Sequence, residues 1–333
     1  MDNEKIDFVI LWVDGSDKEW LKEKNKYLNG KNGDSVSENR YRDWQNLKYW
    51  FRGVEKFAPW VNRVYFVTYG HIPKWLNIEN PKLRVITHEE FIPKQYLPTF
   101  NSNTIELNLN RIQELSEQFV LFNDDMFIIN STKKGDFFQD GLPKDECEQN
   151  ANISYGKHEQ IAHATLNDID IINRNFKKRE VMKKYPTKFI NIKYGLLNLR
   201  TIFLMPWYAF TGFYNPHIPT SHLKSTFNTV WKKEEEMLND TCNNKFREFN
   251  DVNHWVFRYW NLCDGKFKPR SYKFGKHFEI SNDNKKICKW IEKQKSKVIC
   301  INDSRMDIDF EKEKEKIIES FEKILGEKSS YEL

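Results

Sequence analysis

The sequence predicts an α/β protein, a mostly parallel sheet flanked by helices with an inserted helical or irregular segment. Three observations carry that expectation. Ile6-Asp7-Phe8-Val9-Ile10-Leu11-Trp12-Val13 is an almost unbroken apolar run, as in a strand covered on both faces. Comparable runs recur over 64–68, 83–87 and 119–122. Between them lie stretches with helical apolar spacing, the alternation that parallel strands joined by helical crossovers require.

Taken in order, the first strand ends in Trp12-Val13-Asp14-Gly15-Ser16-Asp17, and Asn29-Gly30-Lys31-Asn32-Gly33-Asp34 reads as a loop. Leu47, Trp50, Phe51, Val54 and Phe57 keep helical spacing until Pro59 closes the helix. Strands follow over 64–68, ending at Gly70, and over 83–87. Ile105, Leu109, Ile112 and Phe119 predict an amphipathic helix that leads into the strand 119–122. From 133 the pattern weakens around Gly135, Gly141, Pro143 and Gly156, and apolar density returns over 189–213 and 252–260. A short strand over 298–301 ends at Asn302-Asp303. Ile317, Ile318, Phe321, Ile324 and Leu325 mark one side of a final charged helix over 306–325, with Gly326 as its C-cap. This reading gives one main unit over 1–305, with an insertion over about 133–188, and an amphipathic C-terminal helix in 306–333.

Composition narrows the function. With 333 residues the chain can bury a large core, and 11 Trp with 15% aromatic content argue against disorder. The 53 basic and 48 acidic residues nearly cancel, to +5, which argues against a dedicated nucleic-acid binder. No uncharged apolar stretch reaches the roughly 18 residues of a membrane span, and the N-terminus does not read as a signal peptide. Five widely spaced cysteines without a C-x-x-C pair read as reduced thiols. A cytoplasmic protein, with room for association at the inner face of the membrane, is expected.

Leu121-Phe122-Asn123-Asp124-Asp125-Met126-Phe127 is the sharpest signal. Buried carboxylates are costly unless paired or ligating a cation, and Mg²⁺ or Mn²⁺ commonly bridges carboxylates and substrate phosphates. The competing reading is a turn, which Asn and Asp favour. Asp14 and Asp17 follow another strand, and in open parallel sheets ligands sit beyond the strands' carboxyl ends. A tight Asp-Gly turn explains them equally well.

Arg40-Tyr41-Arg42-Asp43, with Arg52 beyond, offers guanidinium groups suited to phosphate, or simply solvated charge at a helix start. Asn101, Ser102, Asn103 and Glu106 enter the second helix, where Asn103 and Glu106 have capping-box spacing. The same helix start could equally receive phosphate or sugar hydroxyls. His217, in Pro216-His217-Ile218-Pro219, stands on a rigid turn as a candidate base or phosphate contact. Lys177, Lys178, Arg179, Lys183 and Lys184 form a basic run, either a solvated helix face or a contact for anionic lipid or polymer. Met205-Pro206-Trp207-Tyr208-Ala209-Phe210 reads as core or as a sugar-stacking surface. His158 and His163 are five apart, off one helical face, which excludes a zincin site; P-loop and G-x-G-x-x-G patterns are absent.

Four blocks in this order resemble the Stealth family of sugar-1-phosphate transferases, which includes bacterial capsular polysaccharide phosphotransferases and the eukaryotic N-acetylglucosamine-1-phosphotransferase. They run over 6–17, 40–128, 192 to about 260, and 298–303. The second is the most specific, with Arg40-Tyr41-Arg42-Asp43, Ala58-Pro59-Trp60-Val61, Ile72-Pro73-Lys74-Trp75-Leu76, Leu97-Pro98-Thr99-Phe100-Asn101-Ser102 and Phe122-Asn123-Asp124-Asp125. The resemblance implies a glycosyltransferase-A-like fold and a divalent metal at Asn-Asp-Asp. It also marks His217, Arg247 in Phe246-Arg247-Glu248-Phe249-Asn250-Asp251, and Asn302-Asp303.

On that resemblance the expected reaction moves a hexose- or N-acetylhexosamine-1-phosphate from a UDP-sugar to a hydroxyl of a growing capsular or cell-surface polysaccharide. UMP leaves, a phosphodiester forms, and the intact C1–O bond preserves anomeric configuration. Positioning and charge neutralisation carry such a step. Asp124, Asp125 and Asp303 are the expected Mg²⁺ or Mn²⁺ ligands, and Arg42 and Arg247 the charge stabilisers. His217 or Glu106 is the expected base, and Asp14, Asp17, Arg40, Asp43, Arg52, Asn101 and Ser102 are assigned to donor binding. A metal-dependent glycosyltransferase releasing UDP and a non-catalytic scaffold in a polysaccharide assembly complex are the alternatives, and the same resemblance implies room for association with a capsule-assembly complex.

Overall fold

β1 (Ile6–Trp12) buries both of its faces: Phe8 and Ile10 join one apolar layer and Val9 the other. Its one carboxylate, Asp7, is satisfied by the Asn62 side-chain amide at 2.7 Å and the Ser116 N–H at 2.8 Å. The computed structural model describes residues 5–28, 42–154, 160–304 and 307–333. α1 (Lys18–Leu28) and α2 (Leu47–Phe57) follow, then β2 (Val64–Thr68), β3 (Leu83–Thr87), β4 (Gln118–Phe122) and β5 (Met126–Ile128).

The main sheet runs β3-β2-β1-β4 in parallel, with Thr220–Leu223 added antiparallel beside β4. A second sheet pairs Gly275–Glu279 with Val298–Asn302 in parallel, and the latter with β5 antiparallel. The mostly parallel sheet read from the sequence is therefore observed. Chain order steps from β1 outward to β2 and β3, then returns to the other side of β1 for β4. That reversal places a topological switch point between the carboxyl ends of β1 and β4, where crevices form in open sheets.

One apolar layer joins α2, β5 and the Phe310–Leu325 helix; the other takes the Gln160–Asn175 and Trp255–Asp264 helices. α2 lies so close to β5 that a Cβ on Gly53 would meet the Ile128 carbonyl oxygen at 2.7 Å, so only glycine fits there. The helix expected over 105–119 is instead short, Ser102–Leu107 followed by a turn at Leu109–Arg111. The Asn108 side chain bonds back to the Thr104 carbonyl at 2.8 Å, a local bond that competes with helix propagation.

The described residues of 133–154 and 160–189 include a short Lys134–Phe137 helix, a small strand pair and the helices Gln160–Asn175, Lys178–Lys184 and Pro186–Phe189. Ile169, Ile172, Val181 and Phe189 pack them into the same core as the sheet. The final helix begins at Phe310 rather than 306. Its apolar side is covered internally by Ile317, Phe321 and Leu325, and Phe321 stacks on Tyr49 at 5.3 Å. No helix among the described residues is long and apolar enough to cross a membrane.

Candidate active site

Asp14 leaves β1 and Asp124-Asp125 leave β4, neighbouring parallel strands, so the two acidic clusters emerge at one end of the sheet. A turn closed by the Met126 N–H on the Asn123 carbonyl at 3.1 Å presents the aspartate pair. Asp125 is held from the second sheet: its carbonyl accepts from the Ile301 N–H at 2.9 Å. Its Oδ2 accepts from the Asn302 amide at 3.2 Å and the Cys300 thiol at 3.3 Å. His217 Nε2 lies 3.6 Å from the same oxygen, beyond hydrogen-bond length, so that attraction acts through charge. Asp125 Oδ1 is buried with no hydrogen-bond partner.

The two carboxylates are electrostatically unequal. Burial opposes ionisation of Asp125, but His217, Cys300 and Asn302 outweigh it and hold its pKa below the ordinary value. Asp124 opens to solvent, yet protein around the recess and the charge of Asp125 push it up to about 7. Burial pulls the His217 pKa down, and the Asp125, Glu106 and Glu279 charges more than restore it, so it ends raised. The His217 backbone is left-handed at φ +47°, a conformation that non-glycine residues hold only where surroundings enforce it.

A second wall comes from the Ser102 helix and the 246–251 loop. Arg247 donates to the Ser102 hydroxyl, at 3.2 Å through Nε and more closely through its second terminal nitrogen. Glu106 is buried; desolvation lifts it to about 7 against the opposing charges of Arg247 and His217. Asn101 is fully buried, caps the helix at the Asn103 N–H and donates to Asp251 at 2.8 Å. It therefore positions Ser102 and Arg247 rather than lining an opening.

Asp303 accepts from Trp44 Nε1 at 3.1 Å and pairs with Arg42 at 3.5 Å. Asp43 holds its own turn through the Gln45 N–H at 2.7 Å, and its charge reaches Asp124. Asp14 accepts from the Ser16 N–H at 2.9 Å, and its own N–H donates to His71 Nδ1 at 3.1 Å. Asp17 caps α1 through the Trp20 N–H at 2.7 Å, a bond that lowers its pKa. An open recess of about 500 Å³ beside it is lined by Trp20, Glu23, Tyr69 and His71. That space lies on the β1–β2 side rather than over the aspartate pair.

Two donor-binding expectations fare differently. Arg52 is not part of the site: it is buried under the 322–332 segment and saturated by Glu332 and by the Leu325 carbonyl at 2.9 Å. Apolar neighbours and a full set of acceptors leave it no free face for phosphate. Arg40 lies outside the described residues. Sequence reasoning also missed Cys300, His277 and His71. His277 stacks on His217 with ring centres 5.2 Å apart. His71 follows the Gly70 strand end, so the strand-end rule applied to Asp14 would have found it. Cys300 gave no signal, because it reads as one more apolar residue of its strand.

The oxygens fit a hard divalent cation. Asp125 Oδ1 is buried and unmatched, and the adjacent Asp124 carboxyl faces the opening. Asp125, His217 and Cys300 bring potential ligand atoms within 4.8 Å of one another. Burial and the Asp125 charge hold the Cys300 thiol well above its ordinary pKa, so it acts as a donor to the carboxylate rather than as a thiolate ligand.

Comparison with known proteins gives matches along the whole chain. Stealth protein conserved region 1 matches residues 4–32 and conserved region 2 matches residues 40–145. A capsular polysaccharide phosphotransferase, WcwK, of Streptococcus pneumoniae is 47% identical over 331 residues, covering 99% of this chain and 98% of that protein. An exopolysaccharide phosphotransferase, cps2G, of Lactiplantibacillus plantarum is 44% identical over 329 residues, covering 98% and 96%. Among solved structures, the galactosyltransferase LgtC in complex with donor and acceptor sugar analogues aligns at 11% identity and TM-score 0.36, covering 94% of this chain and 95% of that one.

Proposed function

We infer, because this chain belongs to the Stealth family, that it is a polysaccharide phosphotransferase that moves a sugar-1-phosphate from a UDP-sugar to a hydroxyl of a growing capsular or cell-surface glycan. The observation that carries the reading is the convergence at the β1/β4 switch point of an unpartnered buried Asp125 oxygen, a strained His217 and a buried Glu106 within the charge field of Arg247. The glycosyltransferase-A-like assignment remains part of this proposal.

Asp124 and Asp125 would hold Mg²⁺ or Mn²⁺, with Asp303 an additional candidate one residue beyond Asn302. A bound cation there supplies neutralisation of the diphosphate oxygens. Arg247, steadied by Ser102, and Arg42, steadied by Asp303, carry the charge of the transferring phosphoryl group. His217 takes the proton of the acceptor hydroxyl, and Glu106, raised to about 7 and so part-protonated at physiological pH, hydrogen-bonds a sugar hydroxyl or substitutes as base. The recess beside Asp17 suits the nucleoside, with Tyr69 as a stacking face and carboxylates for ribose hydroxyls. The oxygen attacks phosphorus, UMP departs and the sugar keeps its C1–O bond.

The deciding experiment incubates the purified protein with UDP-sugars, Mg²⁺ and acceptor glycan, and follows nucleotide and phosphorus NMR signals. UMP with a new phosphodiester resonance is expected; UDP without that resonance would assign an ordinary glycosyltransferase. In the same assay His217→Ala is expected to lower turnover about a hundredfold or more while donor affinity changes little. Equal losses in both would make His217 a binding residue.

A further inference from the structure

The Asn198–Leu204 helix is mounted inside out. Its polar Thr201 is fully buried, with its hydroxyl accepting from the Gln149 N–H at 3.0 Å, while Leu199, Ile202 and Phe203 face solvent at helical one-face spacing. The exposure is extensive: Phe203 is 73% exposed, and before the helix Ile192 is 94% and Leu196 83% exposed. Just beyond it, Trp207 is 52% and Tyr208 85% exposed. Scattered apolar residues on a surface need no explanation, but a contiguous apolar stripe marks an interaction surface.

Charge identifies the partner. Over 177–208 the chain carries eight Lys and Arg and one Glu, a net +7, more than the +5 of all 333 residues. Lys177, Arg179, Lys183, Lys184, Lys193 and Arg200 are exposed. The basic Lys178–Lys184 helix lies against the apolar one: Lys178 Nζ donates to the Leu204 carbonyl at 2.5 Å, and Gln149 contacts both Thr201 and Met182. An apolar wedge with interfacial Trp and Tyr beside a dense cationic field is the pattern of a surface that seats on a bilayer with anionic headgroups. A second copy of the chain fits less well, since a two-fold interface on this patch would bring the same cations together.

We propose that residues 177–208 form a membrane-docking surface, with the 192–208 apolar stripe entering the interface and the flanking lysines and arginines meeting anionic lipid. No residue of this stretch is assigned to the transfer chemistry, and docking is tested without turnover. The full chain is spun with vesicles of phosphatidylcholine alone or mixed with phosphatidylglycerol. Binding is expected only to the anionic vesicles, weakening as salt rises. Leu196→Ser/Phe203→Ser and Lys183→Glu/Lys184→Glu are each expected to lower it roughly tenfold or more. Because these side chains face solvent, the melting temperature should not change. Equal partition to both vesicle types, no binding to either, or a wild-type dimer dispersed by Phe203→Ser would overturn the assignment.

Discussion

An Asp125→Ala protein is expected to lose on the order of a thousandfold in turnover, the scale of removing a preorganised electrostatic group. Its metal-dependent donor binding should disappear with it. The expectation rests on how firmly the carboxylate is built in: one oxygen takes Cys300 and Asn302, and the other is buried without a partner. The backbone bond from Ile301 survives the substitution, so the turn itself should persist. Removing this charge also releases Asp124 from one of the three influences that raise its pKa, while burial and the Asp43 charge still act on it. Calorimetric titration of the donor with and without Mg²⁺, beside turnover and a thermal melt, separates the effects. Near-normal turnover in a folded variant would remove Asp125 from the chemistry, and Asp125→Asn should fail almost as badly, since it keeps shape without charge.

Arg52→Ala should instead destabilise the protein by about 3–5 kcal/mol, the cost of breaking a buried ion pair and stranding the partner charge. Arg52 and Glu332 are only 6% and 5% exposed and meet in two parallel bonds of 2.8 Å. Burial raises the Glu332 pKa, but Arg52 reverses this and leaves it depressed. The stability held in this pair is therefore present above the unfolded glutamate pKa, about 4.3, and is lost as pH falls through the lower folded value. Urea melts at neutral and acid pH test this: wild type and Arg52→Ala should converge in stability as Glu332 protonates. A large rise in donor KM with unchanged stability would restore Arg52 to the phosphate site.

That arginine shows where sequence reading reaches its limit. The strands over 64–68 and 83–87 and the helix from Leu47 to Phe57 were legible because their apolar periodicity is local. Asp124 and Asp125 were legible because paired carboxylates contradict the apolar run around them. Arg52 sits in the same helix as that periodic stripe, and nothing nearby states that Glu332 will cover it. Asn101 likewise resembled a site residue, and only the fold reveals Asp251 behind it. The register that sets Cys300 opposite Met126 depends on two distant segments, so no window of sequence contains it.

That distant pairing has a consequence for how the enzyme fails. The bonds from Cys300 and Asn302 to Asp125 span 175 and 177 positions of chain, so the floor of the candidate site is stitched from the middle and last thirds of the polypeptide. Contacts so remote in sequence form slowly during folding and depend on everything between them being in place. Loosening the 275–302 ribbon pair would thus silence the enzyme while the parallel sheet stays intact, and heat inactivation should run ahead of global melting.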